Sequence, residues 1–346
     1  MEITKKDIRA LSKEELREFF SINDKAFRGN QVYEWLWSKG AHSFEDMTNL
    51  SKATRAMLEE NFVINHIKVD QMQRSSDGTV KNAVRLHDGL VVESVLIPTN
   101  TRTTACVSSQ VGCRLDCNFC ATAQLKRMRN LNPDEIYDQV LAIDNESKLY
   151  HNRPLSNIVF MGMGEPLMNY NNVLKAIDMI TSPEGLNMSP KRITVSTSGL
   201  PKMIRKLADD DVKFQLAVSL HSAIDSIRAS IMPFSKNFPL VDLKESLQYW
   251  YLKTKSKVTY EYVVWKNIND NKESVDALVK FCKYVPCKVN LIEYNPIETE
   301  GEFQQASDEA IEAYISALAA NNIVAKVRRS RGKDIDAACG QLANKS

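Results

Sequence analysis

The sequence predicts an α/β protein: a partial (β/α)6 barrel preceded by a small helical domain. Three observations support that class. Runs rich in β-branched residues alternate six times with helix-length amphipathic segments, which is the pattern of a parallel sheet covered by helices. Residues before about 70 carry helical periodicity and lack such runs. Three cysteines fall just after the first predicted barrel strand, at the strand end where α/β barrels carry their chemistry.

Residues 1–72 are expected to form the helical domain. Ser12-Lys-Glu-Glu has the form of a capping box, in which a hydroxyl and a carboxylate three residues on satisfy free amides at a helix start. The stretch Ala26-Phe-Arg-Gly-Asn-Gln-Val-Tyr-Glu-Trp-Leu-Trp reads as a helix with Val32, Trp35 and Leu36 inward and Lys25 and Arg28 on the solvated side. Residues 73–100 contain two apolar runs around Asp88-Gly89, a turn dipeptide suited to a β-hairpin.

The barrel is assigned to residues 101–330. Strands are expected at 104–108, 157–161, 192–196, 214–219, 258–264 and 288–292, and helices at 133–143, 170–180, 201–208, 240–252, 272–284 and 308–320. Repeated strand-then-helix order implies parallel strands with right-handed crossovers. The first of these helices has a marked start, since Asn132 can cap it, Pro133 suits its first position and Glu135 completes a capping box. Residues 331–346 read as a tail carrying Cys339.

With 43% hydrophobic and 25% charged residues the chain has ordinary globular composition. It contains neither an apolar signal-like stretch nor a run near the ~18 apolar residues of a spanning helix. A cytoplasmic protein with no membrane partner is the expectation. Seven cysteines in 346 residues are too sparse, and odd in number, for a secreted disulfide framework. A net charge of +2 neither demands nor excludes nucleic acid.

Cys113, Cys117 and Cys120 form C-x3-C-x2-C. Structural zinc takes four closed ligands, commonly as two paired hooks, and Cys282 and Cys287 do not supply the second hook; they read as structural. A cubane iron–sulfur cluster takes four thiolates, so three leave one iron open to chelate a small molecule and pass it an electron. Those are the requirements for reductive cleavage of S-adenosylmethionine. The loops after the other strands are polar: Met161-Gly-Met-Gly-Glu-Pro-Leu, Ser196-Thr-Ser-Gly, Ser219-Leu-His-Ser and Glu293-Tyr-Asn-Pro. Glycines there permit close approach to a ligand, and Glu165 can accept hydrogen bonds from an ammonium group. Singly, each reads equally well as a turn or a satisfied buried group; together they point to a shared pocket.

These motifs, with Val92-Glu-Ser-Val-Leu-Ile-Pro, Cys106-Val-Ser-Ser-Gln-Val-Gly-Cys and Arg331-Gly-Lys-Asp-Ile-Asp-Ala-Ala-Cys-Gly-Gln-Leu, resemble the RlmN/Cfr family of radical S-adenosylmethionine (SAM) RNA adenine methyltransferases along nearly the whole chain. The resemblance implies a partial (β/α)6 radical SAM barrel. It implies one [4Fe–4S] cluster on Cys113, Cys117 and Cys120, with SAM bound by Gly164, Glu165, Ser196, Ser219, Leu220, His221 and Asn295. It further implies methylation of adenosine C2 in 23S rRNA and tRNA at the cost of two SAM per turnover. Cys339 would carry the methyl, Cys106 would resolve the protein–RNA adduct and Glu93 would accept a proton. Implied partners are the RNA and a flavodoxin-like or ferredoxin-like reductant, with the enzyme acting as a monomer. Gly164-Glu-Pro-Leu and Ser196-Thr-Ser-Gly follow the C2 pattern rather than that of the Cfr-type C8 methyltransferase. A zinc-stabilised RNA-binding protein without catalysis is the alternative from another class.

RNA contact has its own support. Lys326, Arg328, Arg329, Arg331 and Lys333 cluster before the Cys339 tail, and Lys126, Arg127 and Arg129 follow the cysteine loop. Cations so grouped suit a phosphate backbone, although solvated charge alone accounts for them as well. Without the family, Cys106 reads as a small buried hydrophobe, and Glu93 as an outward residue of an edge strand.

Overall fold

The computed structural model describes residues 5–297 and 303–343, so the assigned segments 1–4, 298–302 and 344–346 lie outside the described residues. β1 (Lys6–Asp7) opens the helical domain, followed by α1 (Lys13–Asn23), α2 (Phe27–Trp37), α3 (Lys52–Asn61) and β2 (Phe62–Val63), which pairs in parallel with β1. α1 starts as expected: Ser12 Oγ accepts from Glu15 N (3.1 Å) and the Glu15 carboxylate accepts from Ser12 N (2.6 Å). On α2, Val32 and Leu36 are buried as expected, but Trp37 fills the core where Trp35 was anticipated. Trp35 stays half-exposed, its indole donating to Asn49 Oδ1 (2.5 Å) beneath the Lys39 ammonium.

The sheet begins at β3 (Lys68–Arg74), four residues before the anticipated boundary at 72. Its charged and amide side chains are mostly exposed, so no apolar alternation marks it as a strand. β4 (Val80–Arg85) and β5 (Val91–Pro98) form the expected hairpin, with Gly89 at φ +82° in the turn. With β3 they make a three-stranded antiparallel extension, and β5 pairs antiparallel with β6 (Thr103–Cys106), the first barrel strand. β5 is therefore an interior strand. That overturns the reading of Glu93 as an outward residue on an edge.

Next, β7 (Gln110–Val111) and β8 (Arg129–Asn130) pair antiparallel and pinch the base of the cysteine loop, which contains the short α4 (Ala121–Gln124). The repeats continue as α5 (Pro133–His151), β9 (Asn157–Phe160), α6 (Tyr170–Thr181), β10 (Ile193–Thr197), α7 (Pro201–Asp209) and β11 (Gln215–Ser219). They finish with α8 (Asp225–Ile231), α9 (Leu240–Thr254), β12 (Val258–Val263), α10 (Lys272–Cys282), β13 (Cys287–Ile292), α11 (Asp308–Ala320) and β14 (Val324–Arg328). Strands β6 and β9 to β14 are parallel and in chain order across the ten-stranded sheet.

All six expected βα units are present, with most boundaries within two residues. α5 runs on to His151 because its apolar face stays buried as far as Ile143 and its last turn ends in a left-handed cap at Asn152. β14 adds a seventh parallel strand whose mostly exposed, basic sequence read only as a charge cluster. The helical domain is fastened to α5. Trp37 packs edge-on against Tyr137 at 5.3 Å, and Arg9 reaches Asp138 (2.8 Å) and Asp134 (3.2 Å) in a buried ion triad. No helix among the described residues is long and apolar enough to cross a membrane.

Candidate active site at the barrel mouth

Parallel strands end together at one mouth, so the loops following β6, β9, β10, β11 and β13 converge there. They enclose a cavity of about 140 Å³ whose wall includes Cys117, Cys120, Gly164, Glu165, Ser196, Ser219, His221, Asn295 and Cys339. Of the thirteen residues singled out from the sequence, only Cys113, Leu220, Cys106 and Glu93 are not on this wall.

The cysteine loop is held from below. Asn118 donates from its backbone N to Ile231 O (3.0 Å) and from Nδ2 to Ser230 O (2.8 Å), and Asp116 Oδ1 accepts from Phe234 N (2.8 Å). Burial raises the thiol pKa of Cys117, and the neighbouring Cys120 and Cys113 raise it further. Cys113 is pushed up to about 11 by burial, with Glu165 and Cys120 adding to the rise. Burial and the neighbouring thiols oppose ionisation of Cys117, with Arg228 alone favouring it, and a bound metal centre supplies further positive charge by deprotonating the thiols it takes. Among the described residues no three Cys, His, Asp or Glu side chains close around a single ion.

Glu165 shares the wall with the cysteines and is buried, with Oε1 accepting from Leu167 N (3.0 Å) and Oε2 from Ser198 N (2.7 Å). Two amides orient the carboxylate, and its backbone N donates to Gln110 Oε1 (2.9 Å). Gly164 makes this possible. Its φ is +94°, and a Cβ there would lie 2.5 Å from Gln110 Cβ.

His221 has φ +55°, a conformation seldom taken by a non-glycine residue. It is secured because Asn269 Nδ2 donates to its carbonyl (2.8 Å) and Val263 N donates to its Nδ1 (3.2 Å). Burial, reinforced by Arg228, depresses its pKa to about 3, so the ring is neutral and carries its proton on Nε2. Phe119 packs edge-on at 4.9 Å and Trp265 at 5.8 Å. Leu220 is buried behind the wall, where its carbonyl accepts from Arg228 Nε (3.3 Å).

The tail closes the mouth. Gly340 O accepts from Ala121 N (2.8 Å), Leu342 O from Thr122 Oγ1 (2.6 Å) and Pro296 O from Gln341 Nε2 (3.0 Å), while Asn295 Nδ2 donates to Cys339 O (3.3 Å). Cys339 also lines a second cavity, about 280 Å³, that contains Cys106 and Arg328. Burial pushes Cys106 up to about 12, with Cys339 adding to the rise and Arg328 opposing it. Cys339 is exposed between the two cavities, where Arg328 favours its thiolate and Glu261 and Cys120 oppose it. Glu93 is buried on β5. Its Oε2 accepts from Ala343 N (2.8 Å) in the tail, and Oε1 lies 3.5 Å from Lys81 Nζ.

Family comparisons agree along the whole chain. Residues 107–292 match the radical SAM superfamily and residues 6–64 match the ribosomal RNA large subunit methyltransferase N-terminal domain. A probable dual-specificity RNA methyltransferase RlmN from Flavobacterium psychrophilum is 84% identical, over 100% of this chain and 99% of that one. A dual-specificity RNA methyltransferase RlmN from Nitratidesulfovibrio vulgaris is 44% identical over 97% of this chain and 94% of its own. The crystal structure of a radical SAM methyltransferase from Sphaerobacter thermophilus superposes with a TM-score of 0.91 at 36% identity, covering 97% and 99% of the two chains. The chain belongs to the RlmN family of radical SAM RNA methyltransferases.

Membership in the RlmN family brings a [4Fe–4S] cluster, SAM and an RNA substrate. Several residues of this RlmN-family site escaped sequence reasoning. Glu261 lines the main cavity, buried on β12, where Asn290 Nδ2 donates to it (2.8 Å) and Arg328 approaches at 3.4 Å. Lys81 lies beside Glu93 through a diagonal pairing of β4 and β5, which no local pattern reports. Arg328 was noticed only as part of a basic cluster. The cations divide into two groups. Arg129 is tied to Glu135 (2.7 Å) and Asp88 (2.6 Å), Arg328 to Glu261 and Lys333 to Glu293 (2.6 Å), whereas Lys126, Lys326 and Arg329 are exposed.

Proposed function

We propose that this enzyme methylates C2 of adenosine in 23S rRNA and tRNA through an S-methylated Cys339, using two SAM per turnover. One observation carries the reading: Cys339 stands on the wall common to the cavity holding Cys117, Cys120 and Glu165 and the cavity holding Cys106. A carrier thiol must serve both places.

Adenine C2 lies between two ring nitrogens and is electron-poor, and the SAM methyl is an electrophile, so direct displacement lacks a nucleophile. Cys339 resolves this by taking the methyl as a thiolate, the reactive form, next to the Arg328 guanidinium that favours its ionisation. Cys113, Cys117 and Cys120 hold the cluster, which when bound supplies the electron that cleaves the second SAM for hydrogen abstraction. Glu165 orients the SAM ammonium group; Gly164, Ser196, Ser219, Leu220, His221 and Asn295 complete the SAM site. Once the carrier carbon is bonded to C2, the C2 proton leaves to Glu93 and the adduct gives up its odd electron, for which the bound cluster would be the acceptor; the Cys106 thiolate then attacks the Cys339 sulfur. The bond from that sulfur to the carrier carbon breaks with its electron pair on carbon, which takes up a proton to become the methyl group, freeing methylated RNA and leaving a Cys106–Cys339 disulfide. Two electrons from a cellular thiol reductant restore the pair.

The helical domain docks the RNA, a role supported by its match to the large-subunit methyltransferase N-terminal domain. Exposed Lys126, Lys326 and Arg329 face the phosphates. The target base leaves its stack to reach the mouth. A flavodoxin-like or ferredoxin-like protein feeds electrons to the cluster, and the enzyme works as a cytoplasmic monomer.

The test is nucleoside mass spectrometry of 23S rRNA and tRNA from cells lacking this protein and complemented with wild type or Cys339→Ala. Wild type should restore 2-methyladenosine and C339A should not. Methylation by C339A refutes the carrier role, and 8-methyladenosine in place of the C2 product refutes the position.

A further inference from the structure

Arg228, on α8, is only 1% exposed, and a buried guanidinium needs acceptors for its five N–H groups. Two of its nitrogens have them. Nη2 donates to Ser198 O (2.7 Å) and Nε to Leu220 O (3.3 Å), while Nη1 is buried with no partner within the chain. A charged donor left without an acceptor in the interior is destabilising. A group bound beside this helix can supply the missing acceptor.

The surroundings say what that is. The residues on both sides of Cys117 are anchored to the end of this same helix: Asn118 N and Nδ2 reach Ile231 O and Ser230 O, and Asp116 accepts from Phe234 N just beyond. Cys117 thereby rides over α8. Arg228 is not on the main cavity wall, although Ser198, to which it donates, is.

We propose that Arg228 is a positioning residue for the cluster, its free Nη1 donating to sulfur beside Cys117 and its charge offsetting that of the cluster. This rests on the assignment of Cys113, Cys117 and Cys120 as cluster ligands. Reduction adds negative charge, so a fixed cation and a hydrogen bond to sulfur favour the reduced state and raise the potential. The same guanidinium braces Ser198, whose amide orients Glu165. One side chain thus couples the cluster to the Glu165 carboxylate.

The experiment is an anaerobic redox titration followed by EPR on wild type, Arg228→Met and Arg228→Lys, each first analysed for iron and sulfide. R228M with four irons should show at least a tenfold lower ratio of reduced to oxidised cluster at fixed potential, which is 59 mV for one electron. R228K should shift in the same direction by less. An unchanged midpoint in iron-replete R228M overturns the proposal. Pulsed EPR of the reduced wild-type enzyme grown on guanidino-[15N]arginine keeps the test decisive if R228M fails to fold. A weak 15N coupling is expected, and its absence also overturns the proposal. Wild type that binds no iron would instead refute the cluster assignment itself.

Discussion

Replacing Gly164 by Ala puts one methyl group where the structure has no room. Its Cβ would lie 2.5, 2.7 and 2.9 Å from Cβ, Cγ and N of Gln110, and the residue would have to keep φ at +94°. The backbone conformation costs about 1–2 kcal/mol for an L-residue, and overpacking adds roughly 1–3 kcal/mol. Gln110 cannot simply retreat, because Oε1 accepts from Glu165 N (2.9 Å) and Nε2 donates to Asn130 Oδ1 (2.8 Å). The strain therefore passes to Glu165 and pulls it away from the Ser198 and Leu167 amides. Two losses of about 2–5 kcal/mol in total should divide between folding and SAM binding. Thermal unfolding and equilibrium dialysis with SAM on the anaerobic enzyme measure both. We expect G164A to melt several degrees lower and to bind SAM at least tenfold more weakly, a change of about 1.4 kcal/mol. Wild-type values in both assays would show that Gln110 yields freely and that the glycine is not required.

Cys106→Ala should trap the RNA on the enzyme, since no thiolate then attacks the Cys339 sulfur. Denaturing gels of the purified variant should show RNA attached to protein, and RNA-free protein would remove Cys106 from the resolving role. His221 is held near pKa 3 in the folded chain against about 6.5 when unfolded. A depressed folded pKa contributes stability above pH 6.5 that is lost as pH falls toward 3, by up to about 1.4 kcal/mol per pH unit. His221→Asn keeps an acceptor for Val263 N and tolerates the left-handed backbone but cannot protonate. Between pH 7.5 and 5.5 the stability of wild type should fall more steeply than that of H221N in chemical unfolding. Parallel curves would mean that His221 takes up a proton in place.

Much of the fold could be read from local pattern, because each βα unit writes its own periodicity. Strands such as Val258–Val263 are buried throughout and apolar enough to stand out, and α1 and α5 announce their starts through capping chemistry. The failures share a physical cause. β3 and β14 lie at the two edges of the sheet with mostly exposed side chains, so no core demanded an apolar alternation from them. Trp37 rather than Trp35 became core because Tyr137 of α5 meets that side of α2, a contact that joins residues 100 positions apart.

The sequence by itself determined the chemistry at the barrel mouth, since thiols, glycines and a carboxylate at strand ends are short-range patterns that any parallel barrel gathers in one place. Tertiary structure alone decided the surroundings of those groups. Folding turned Glu93 inward beside Lys81, brought the tail across the mouth so that Cys339 borders both cavities, and buried Arg228 on the helix that anchors the cysteine loop. Each of these depends on contacts between segments far apart in the chain. Charge pairing and burial exist only after those segments have packed, and local spacing carries no record of them.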